Sequence, residues 1–455
     1  MVNRVHPVLS GLGRNPAAPQ DVLVRLAAHP DARTSVAWRR GRLADPVVEA
    51  LLTHGGADIA VALHGDRLSP AMRRRIAGHA DPEIRDAYPD FIRQMVDRGT
   101  PMSVDSLEEA YGLPRTDLAG APSPALRAAV ARCWPDRPAA VQRKLLADPD
   151  PTVRAAATER QHPGVPPEFR DRCLADPDPA VRANVARHVP LTPDQFDRLI
   201  RTGDEFVLQS VAGNPHLSAE MVARFLDLED PSIRVMVAYS RHTDAATRAG
   251  LLAPLEAERA AGSTAAMLAL GWTGVSPDWL RAAPLDERLT YLDCPHPAFR
   301  RVLASCPDLP DEAWQRLDDD PDVRVRRIAA RRPDAPPEVL ERLVRTHGEN
   351  FHLRPLLVEH PNFPRRALRT LVDEPDPRVR RVALEDPDLP VPALHRLATS
   401  PEPSLRRGAA RHPNITHALL TPLLQDPLPE VADDAAANPA LPPPEMYRIL
   451  AEAGL

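Results

Sequence analysis

The chain of 455 residues contains little lysine, cysteine, glycine or aromatic side chain. Lys144 is the single lysine among 57 basic residues, so the high arginine content reflects a general skew and is weak evidence for nucleic-acid binding. The net charge of −6 provides no basic field for a polyanion. No run of about 18 apolar residues occurs, so no membrane partner is expected.

Catalytic and metal-binding motifs are missing from the sequence. The four cysteines, Cys133, Cys173, Cys294 and Cys306, form no Cys-x-x-Cys pair, which argues against a zinc or redox site and favours a reduced, cytoplasmic setting. There is no glycine-rich phosphate loop, Gly-x-Ser-x-Gly elbow or His-Glu-x-x-His helix. We therefore expect no enzymatic activity, no metal and no cofactor.

Proline, by contrast, is abundant, with 54 residues against only 20 glycines. Proline inside a helix costs about 3 kcal/mol, so long uninterrupted helices are excluded. A large central sheet is also disfavoured, because proline cannot donate a hydrogen bond to a neighbouring strand.

A short phrase recurs along the chain: an apolar residue, arginine, two variable positions and a second apolar residue, usually followed by alanine. We call the first apolar residue of each phrase the anchor. Anchors at 126, 153, 181, 207 and 233, and again at 299, 325, 353, 379, 405 and 431, are 26–28 residues apart. Weaker copies occur at Ala32, Ile59, Ile84 and Ala265. A fixed period of this size is typical of a solenoid.

Each repeat predicts two short helices. In the repeat around Val181, Asp178 is a suitable N-cap, Pro179 suits the first helical position, and Val181 and Val185 share one face. A proline eight residues after seven of the fifteen anchors ends this helix, and a second amphipathic helix follows. A single repeat buries too little apolar surface to fold alone, so the repeats must stack on one another.

These phrases resemble two related families. Asp-Pro-Asp-Pro-x-Val-Arg is similar to HEAT-like repeats, and His/Asn-Pro-x-Leu-Pro-x-x-x-Leu is similar to the bacterial leucine-rich repeat variant. The resemblance implies an all-α, right-handed α-solenoid of about fifteen 26–28-residue repeats, built from α/α or α/3₁₀ pairs. The iron–sulfur cluster known in the variant family is not expected, since no matching Cys-rich segment is present.

We expect one continuous solenoid in five segments. They are N-terminal repeats (1–92), an irregular linker or insertion (93–123), central repeats (124–262), enlarged irregular repeats (263–298) and C-terminal repeats with a capping unit (299–455).

The recurrent arginines are predicted to form a structural ladder with the aspartates that cap the helices. The alternative, a basic groove for phosphate, is weakened by the equally regular acids beside them. The predicted ladder consists of Arg154, Arg182, Arg234, Arg300, Arg326, Arg354, Arg380 and Arg406 with Asp150, Asp178, Asp322 and Asp376.

Aromatic residues cluster where the repeat is interrupted. Trp272, Trp279 and Tyr291 lie in the enlarged segment, with Trp314 just beyond it. These side chains are candidate partner-binding residues, because aromatics are enriched at interface anchors. The alternative is that they fill the larger gaps between longer helices.

The predicted function is a non-catalytic scaffold whose concave surface binds another protein. The alternative is a nucleic-acid-binding HEAT-like protein of the alkylated-DNA-repair type, and a third is an accessory protein that presents a cofactor or peptide to an enzyme. Residues 1–80 carry eleven arginines and six acids, whereas residues 414–455 carry one arginine and six acids. These oppositely charged ends predict self-association from head to tail, unless the gradient is only a chance feature of solvated surfaces.

Overall fold

The computed structural model describes residues 7–64, 67–159, 163–272 and 276–455, and all regular structure in these ranges is helical. The chain divides into two compact units. Unit 1 combines both ends of the sequence, Met1–Phe91 and Ala330–Leu455, and unit 2 is Ile92–Ala329. The first division falls beside the predicted start of the irregular segment at residue 93. That both ends of the chain share one unit was not predicted.

The helices are short, as the proline content predicts. Up to residue 118 they are α1 (Pro7–Arg14), α2 (Gln20–Ala28), α3 (Pro30–Ala37), α4 (Asp45–His54), α5 (Ala57–Ala62), α6 (Pro70–Ala77), α7 (Pro82–Arg85), α8 (Ala87–Asp97), α9 (Val104–Tyr111) and α10 (Arg115–Leu118). From there to residue 239 they are α11 (Pro124–Cys133), α12 (Ala139–Leu146), α13 (Pro151–Thr158), α14 (Pro167–Leu174), α15 (Pro179–Ala186), α16 (Pro193–Ile200), α17 (Glu205–Ala212), α18 (Ala219–Ala223) and α19 (Pro231–Tyr239).

The enlarged region contains α20 (Ala245–Ala260), α21 (Thr264–Trp272) and α22 (Leu285–Thr290), and the C-terminal repeats follow it. The latter contain α23 (Pro297–Leu303), α24 (Asp311–Asp318), α25 (Val323–Ala329), α26 (Pro337–His347), α27 (Arg365–Thr370), α28 (Pro377–Val382), α29 (Val391–Ala398), α30 (Pro403–Arg411), α31 (His417–Leu423), α32 (Pro429–Ala436) and α33 (Pro443–Glu452). Short 3₁₀ turns lie at Asp278–Ala282, Tyr291–Asp293, Leu357–Glu359, Leu371–Asp373 and Ala383–Glu385.

The repeat around Val181 illustrates how sequence determines the local fold. Asp178 accepts a hydrogen bond from the backbone N–H of Ala180 at 2.8 Å, and Pro179 occupies the first helical turn of α15. Val181 and Val185 are buried on the inner face of the helix. In α16 the Thr192 hydroxyl and the side chain of the residue three positions later form a reciprocal capping box.

The anchor positions define the core of each unit. Most anchors are buried: Ala32, Ile59, Ile84, Leu126, Val153, Val181, Val207, Ile233, Phe299, Val325, Val379, Leu405 and Val431. One hydrophobic cluster joins the N-terminal and C-terminal parts of unit 1, and two clusters fill unit 2. These features confirm the predicted all-α solenoid of stacked repeats. In the repeat of Val379, helix α28 passes into the 3₁₀ turn Ala383–Glu385, as the α/3₁₀ expectation requires.

Two anchors were assigned wrongly. Ala265 is exposed, whereas its neighbour Ala266 is buried. Leu353 is 50% exposed and lies outside any helix. The residue after Leu353 precedes Pro355, and a residue before proline is driven out of the α region, so the expected helix cannot form there.

The two ends of the chain pack together within unit 1. Helix α1 contacts α32, and Arg14 forms an ion pair with Asp433. A Cβ atom at Gly11 would overlap the backbone carbonyl of Asp433, so only glycine permits this approach. The Tyr447 hydroxyl donates to the Asp21 carboxylate at 3.0 Å. The oppositely charged ends therefore attract each other inside one chain.

Candidate functional site

The recurrent arginine joins one repeat to the next. Arg154 donates from Nε and Nη2 to both carboxylate oxygens of Asp176, at 2.7 and 2.8 Å. Its Nη1 donates to the carbonyls of Asp148 and Pro149 at 2.9 and 3.0 Å. The guanidinium thus neutralises a buried carboxylate and satisfies two loop carbonyls at once. The same two-pronged pairing joins Arg127 with Asp148, Arg300 with Asp320, and Arg406 with Asp426.

This pairing differs from the predicted one. The arginine binds the first aspartate of the next Asp-x-Asp phrase, whereas the prediction chose the second. The second aspartate lies at the helix start, and its carboxylate accepts backbone N–H groups there instead. Asp150, Asp178, Asp322 and Asp376 all cap their helices in this way, and the last two also pair with Arg301 and Arg378.

The ladder is interrupted where another residue replaces the aspartate that would accept hydrogen bonds from the arginine. Arg182 donates only from Nη1, to two loop carbonyls, and Thr202 stands where the next aspartate would be. For Arg380, Ser400 stands where the aspartate of the next repeat would be. The Nε atoms of both arginines are buried without a hydrogen-bond partner in the described part of the chain. Arg354, which lies outside any helix, pairs with Glu359 instead.

The other two predicted ladder arginines lie on the first helix of their repeats, Arg234 on α19 and Arg326 on α25.

A cavity of unit 2 opens where the regular repeat is interrupted. It has a volume of about 630 Å³ and lies between α20 and the segment from Thr290 to His296. Helix α20, with 16 residues, is twice as long as most repeat helices here, and it forms one side of this space. Ala249, Leu252 and Ala253 form an apolar wall. We call this cavity the α20 cleft.

Arg248 is the buried cation of the α20 cleft. It is only 5% exposed, and its guanidinium carbon lies 4.5 Å from the ring centre of Phe299 and 5.3 Å from that of Tyr291. Nε donates to the Ala238 carbonyl at 3.0 Å, and Nη2 donates to the Thr243 carbonyl at 2.7 Å. These carbonyls and rings hold the guanidinium in place, while no carboxylate of the described residues pairs with it.

His296 forms part of the same wall and is held neutral. Its Nδ1 accepts the Ala298 N–H at 3.3 Å, and its Nε2 lies 3.6 Å from Glu256. Burial, reinforced by the positive charge of Arg301, lowers the pKa of His296 to about 4. With Nδ1 acting as an acceptor, the remaining proton sits on Nε2, so this atom is a donor at neutral pH.

The thiol and phenol beside the cleft are unreactive at neutral pH. Burial raises the pKa of the Cys294 thiol, which lines the cleft. Burial also raises the pKa of Tyr239, whose ring meets those of His296 and Phe299. A thiol with a raised pKa carries little thiolate and is a poor nucleophile. Neither Cys294 nor Tyr239 is therefore activated as a nucleophile.

The structure brings two of the predicted aromatic residues together. Trp279 meets Tyr291 edge to face with ring centres 5.7 Å apart, and its Nε1 donates to the Tyr239 carbonyl at 2.8 Å. Tyr291 lines the α20 cleft, whereas Trp279 lines a neighbouring cavity of about 320 Å³. Trp314 is buried in the core of unit 2. Trp272 ends α21, and its side chain lies outside the described part.

Sequence analysis missed Arg248, His296 and Phe299 as site residues. Phe299 was recognised only as an anchor, and Arg248 falls outside the repeated phrase. The signal that could have found Arg248 is its position in an irregular segment rich in aromatic residues.

The described residues contain no group of three His, Cys, Asp or Glu side chains placed to hold a metal ion. None of the helices in those same ranges combines the length and the apolar character needed to cross a membrane.

The helices and their ladders define a helical-repeat protein of the α-solenoid class. Residues 323–345 match the family model described as leucine rich repeat variant, which confirms the predicted resemblance. No curated protein matches this chain.

Several solved helical structures are also similar. An engineered protein is 16% identical, with 92% of this chain and 97% of that chain covered and a TM-score of 0.18. Kap121p bound to Pho4p is 13% identical with a TM-score of 0.19, and the match covers 100% of this chain and 51% of that chain. Kap121p bound to RanGTP is 13% identical with a TM-score of 0.22, covering 99% and 51%. This chain thus spans about half the length of Kap121p, and with TM-scores below 0.5 the fold assignment rests on its own helices.

Proposed function

We propose that this protein is a non-catalytic repeat scaffold that binds a segment of another protein, and that the α20 cleft is a contact site. The observation that carries the proposal is the open cavity of about 630 Å³ where the repeat is interrupted. Its volume is in the range of ligand sites, and its lining combines an apolar wall with a few fixed polar groups.

The chemistry of the cleft favours binding over catalysis. A catalytic cysteine needs a lowered pKa and a base beside it, whereas burial raises the pKa of Cys294. His296 uses Nδ1 to cap α23 and is neutral at pH 7, so it is not poised to take a proton.

The ladder weighs against the nucleic-acid alternative. Arginines that bind phosphates need guanidinium groups that are not already paired within the protein. The guanidinium groups of the ladder instead donate to aspartates and loop carbonyls of the repeats, as in Arg127, Arg154, Arg300 and Arg406.

Site-specific photocrosslinking tests the proposal. A benzoylphenylalanine at Ala253, an exposed position on the cleft wall, is placed in the full chain and irradiated in a native lysate after nuclease treatment. The control carries the same residue at Ala139, an exposed position of α12 in the same unit.

We expect discrete protein adducts from position 253 and none of the same mass from position 139. Equal labelling from both positions, or no adduct from 253, would contradict the proposal. Adducts that form only without nuclease treatment and contain nucleic acid would favour the alternative.

A further inference from the structure

We propose that the α20 cleft binds a single carboxylate group carried by a peptide segment, with Arg248 as its counter-charge. This inference rests on the proposed function and identifies the chemistry of the partner. A carboxylate can come from an acidic side chain or from a chain terminus, and both are covered by the experiment below.

Arg248 forms no ion pair with a carboxylate of the described residues. A buried guanidinium is costly unless an anion pairs with it. Arg300 and Arg288, which are buried to a similar degree, pair with Asp320 and Asp308. Arg248 is buried to 95%, forms no such ion pair within the described part of the chain, and lines an open cavity.

The hydrogen-bond donors of the cleft also favour a carboxylate. Nε and Nη2 of Arg248 are taken by the carbonyls of Ala238 and Thr243, and Nη1 has no hydrogen-bond partner among the described residues. Nε2 of His296 supplies another donor in the same cleft lining. A carboxylate has two oxygens and can accept both groups, which a neutral hydroxyl or amide matches less well.

The charged residues of the cleft also limit the anion that it can bind. Asp244, Glu256 and Asp293 line it together with Arg241 and Arg248. Asp244 is occupied in capping α20, and Asp293 pairs with Arg316. Two arginines, of which only Arg248 is buried, against three acids favour a monoanion over a phosphate dianion. The apolar wall of Ala249, Leu252 and Ala253 then suits a small aliphatic group next to the carboxylate.

Matched small probes test this chemistry directly on the full chain. N-acetyl-leucine carries a terminal carboxylate, N-acetyl-leucinamide is its neutral counterpart, and N-acetyl-glutamic acid α-amide carries a side-chain carboxylate. Inorganic phosphate is the dianion. Binding is measured by methyl NMR titration of Leu252, with Arg198→Gln as the control because Arg198 is exposed and outside the cleft.

We expect at least one of the two carboxylates to bind about ten-fold or more tighter than N-acetyl-leucinamide, the size of one charge-assisted hydrogen bond. Which of the two binds tighter identifies the source of the carboxylate. Arg248→Gln should remove the difference between acid and amide, and Arg198→Gln should preserve it. Equal affinity for acid and amide, an unchanged preference in Arg248→Gln, or tighter binding of phosphate would overturn the inference.

If Arg248→Gln does not fold, a second variant tests the binding of the carboxylate. Glu256→Gln removes a repelling charge at a side chain that is 41% exposed. It should tighten binding of the preferred carboxylate several-fold and leave the amide unchanged, and an unchanged affinity for the carboxylate would count against the inference. If adducts still form at position 253 while no carboxylate binds, the scaffold proposal stands and the carboxylate inference fails.

Discussion

Asn15 binds the C-terminal repeat in the way that Asn438 binds the repeat before it. The Asn438 side-chain amide donates to the carbonyls of Ala410 and His412 at 2.7 and 3.1 Å. The Asn15 amide donates to the carbonyls of Ala436 and Asn438 at 2.9 and 2.7 Å. The N-terminal helix pair is thus stacked on the last repeat as if it were the next one.

Removing the Asn15 amide should loosen the N-terminal helices. Asn15 is fully buried, so Asn15→Ala leaves two carbonyls without a donor and should cost about 2 kcal/mol. Hydrogen exchange of the α1 and α2 amides should rise accordingly. Asn438→Ala is the matched comparator, since it removes the same pair of bonds between two C-terminal repeats. Unchanged exchange in Asn15→Ala would contradict the stacking of the two ends.

Two glycines in helices should respond in opposite directions to alanine. Gly11→Ala places a Cβ against the backbone of Asp433 and should destabilise unit 1 by about 1–3 kcal/mol through overpacking. Gly250→Ala meets open space on α20 and should stabilise by about 0.5–1 kcal/mol through helix propensity. Urea denaturation of both variants gives the comparison, and equal effects would argue against a close contact at Gly11.

The sequence predicts those parts of the fold that depend on neighbours along the chain. The Asp-Pro caps, the proline stops and the buried anchors are local, so the repeat around Val181 could be described before any coordinates. Whether Asp148 or Asp150 is the arginine partner could not be predicted from the sequence. Both are acids two residues apart, and only the stacking of the repeats distinguishes them. The packing of α1 on α32 also escapes sequence reasoning, since the charge complementarity of the ends is the same within one chain and between copies. Arg248 was missed because a cavity is defined by the absence of atoms, which no repeat pattern records.

The ladder predicts the effect of exchanging its acceptor. Asp176→Thr leaves the Arg154 guanidinium with only its loop carbonyls, and breaking such a buried pair should cost about 3 kcal/mol. The reverse change, Thr202→Asp, gives the unpaired Nε of Arg182 an acceptor and should stabilise by about 1 kcal/mol.

Thermal denaturation of the full chain measures both effects. Asp227→Thr, an exposed position without a ladder arginine, is the control and should stay within about 0.5 kcal/mol of the wild type. A Thr202→Asp variant less stable than the wild type would show that Arg182 does not reach this position.

His296 predicts how the stability of unit 2 depends on pH. Burial lowers its pKa to about 4 in the folded state, whereas an unfolded histidine titrates near 6.5. Between these values the unfolded chain binds a proton that the folded chain does not. The free energy of unfolding should therefore fall as the pH drops from about 6.5 to about 4, by roughly 3 kcal/mol for this residue.

Urea denaturation followed by tryptophan fluorescence between pH 4 and 7.5 measures this dependence, because Trp279 and Trp314 both lie in unit 2. His296→Asn keeps an acceptor for the Ala298 N–H but cannot titrate, so its stability should vary less over that range. His54→Asn, at an exposed position of α4, should keep the wild-type slope. Burial also lowers the pKa of His188 in the same unit, so a smaller slope of the same sign should remain in the His296 variant. A His296→Asn slope equal to that of the wild type would mean that burial does not lower the pKa of this imidazole in the folded chain.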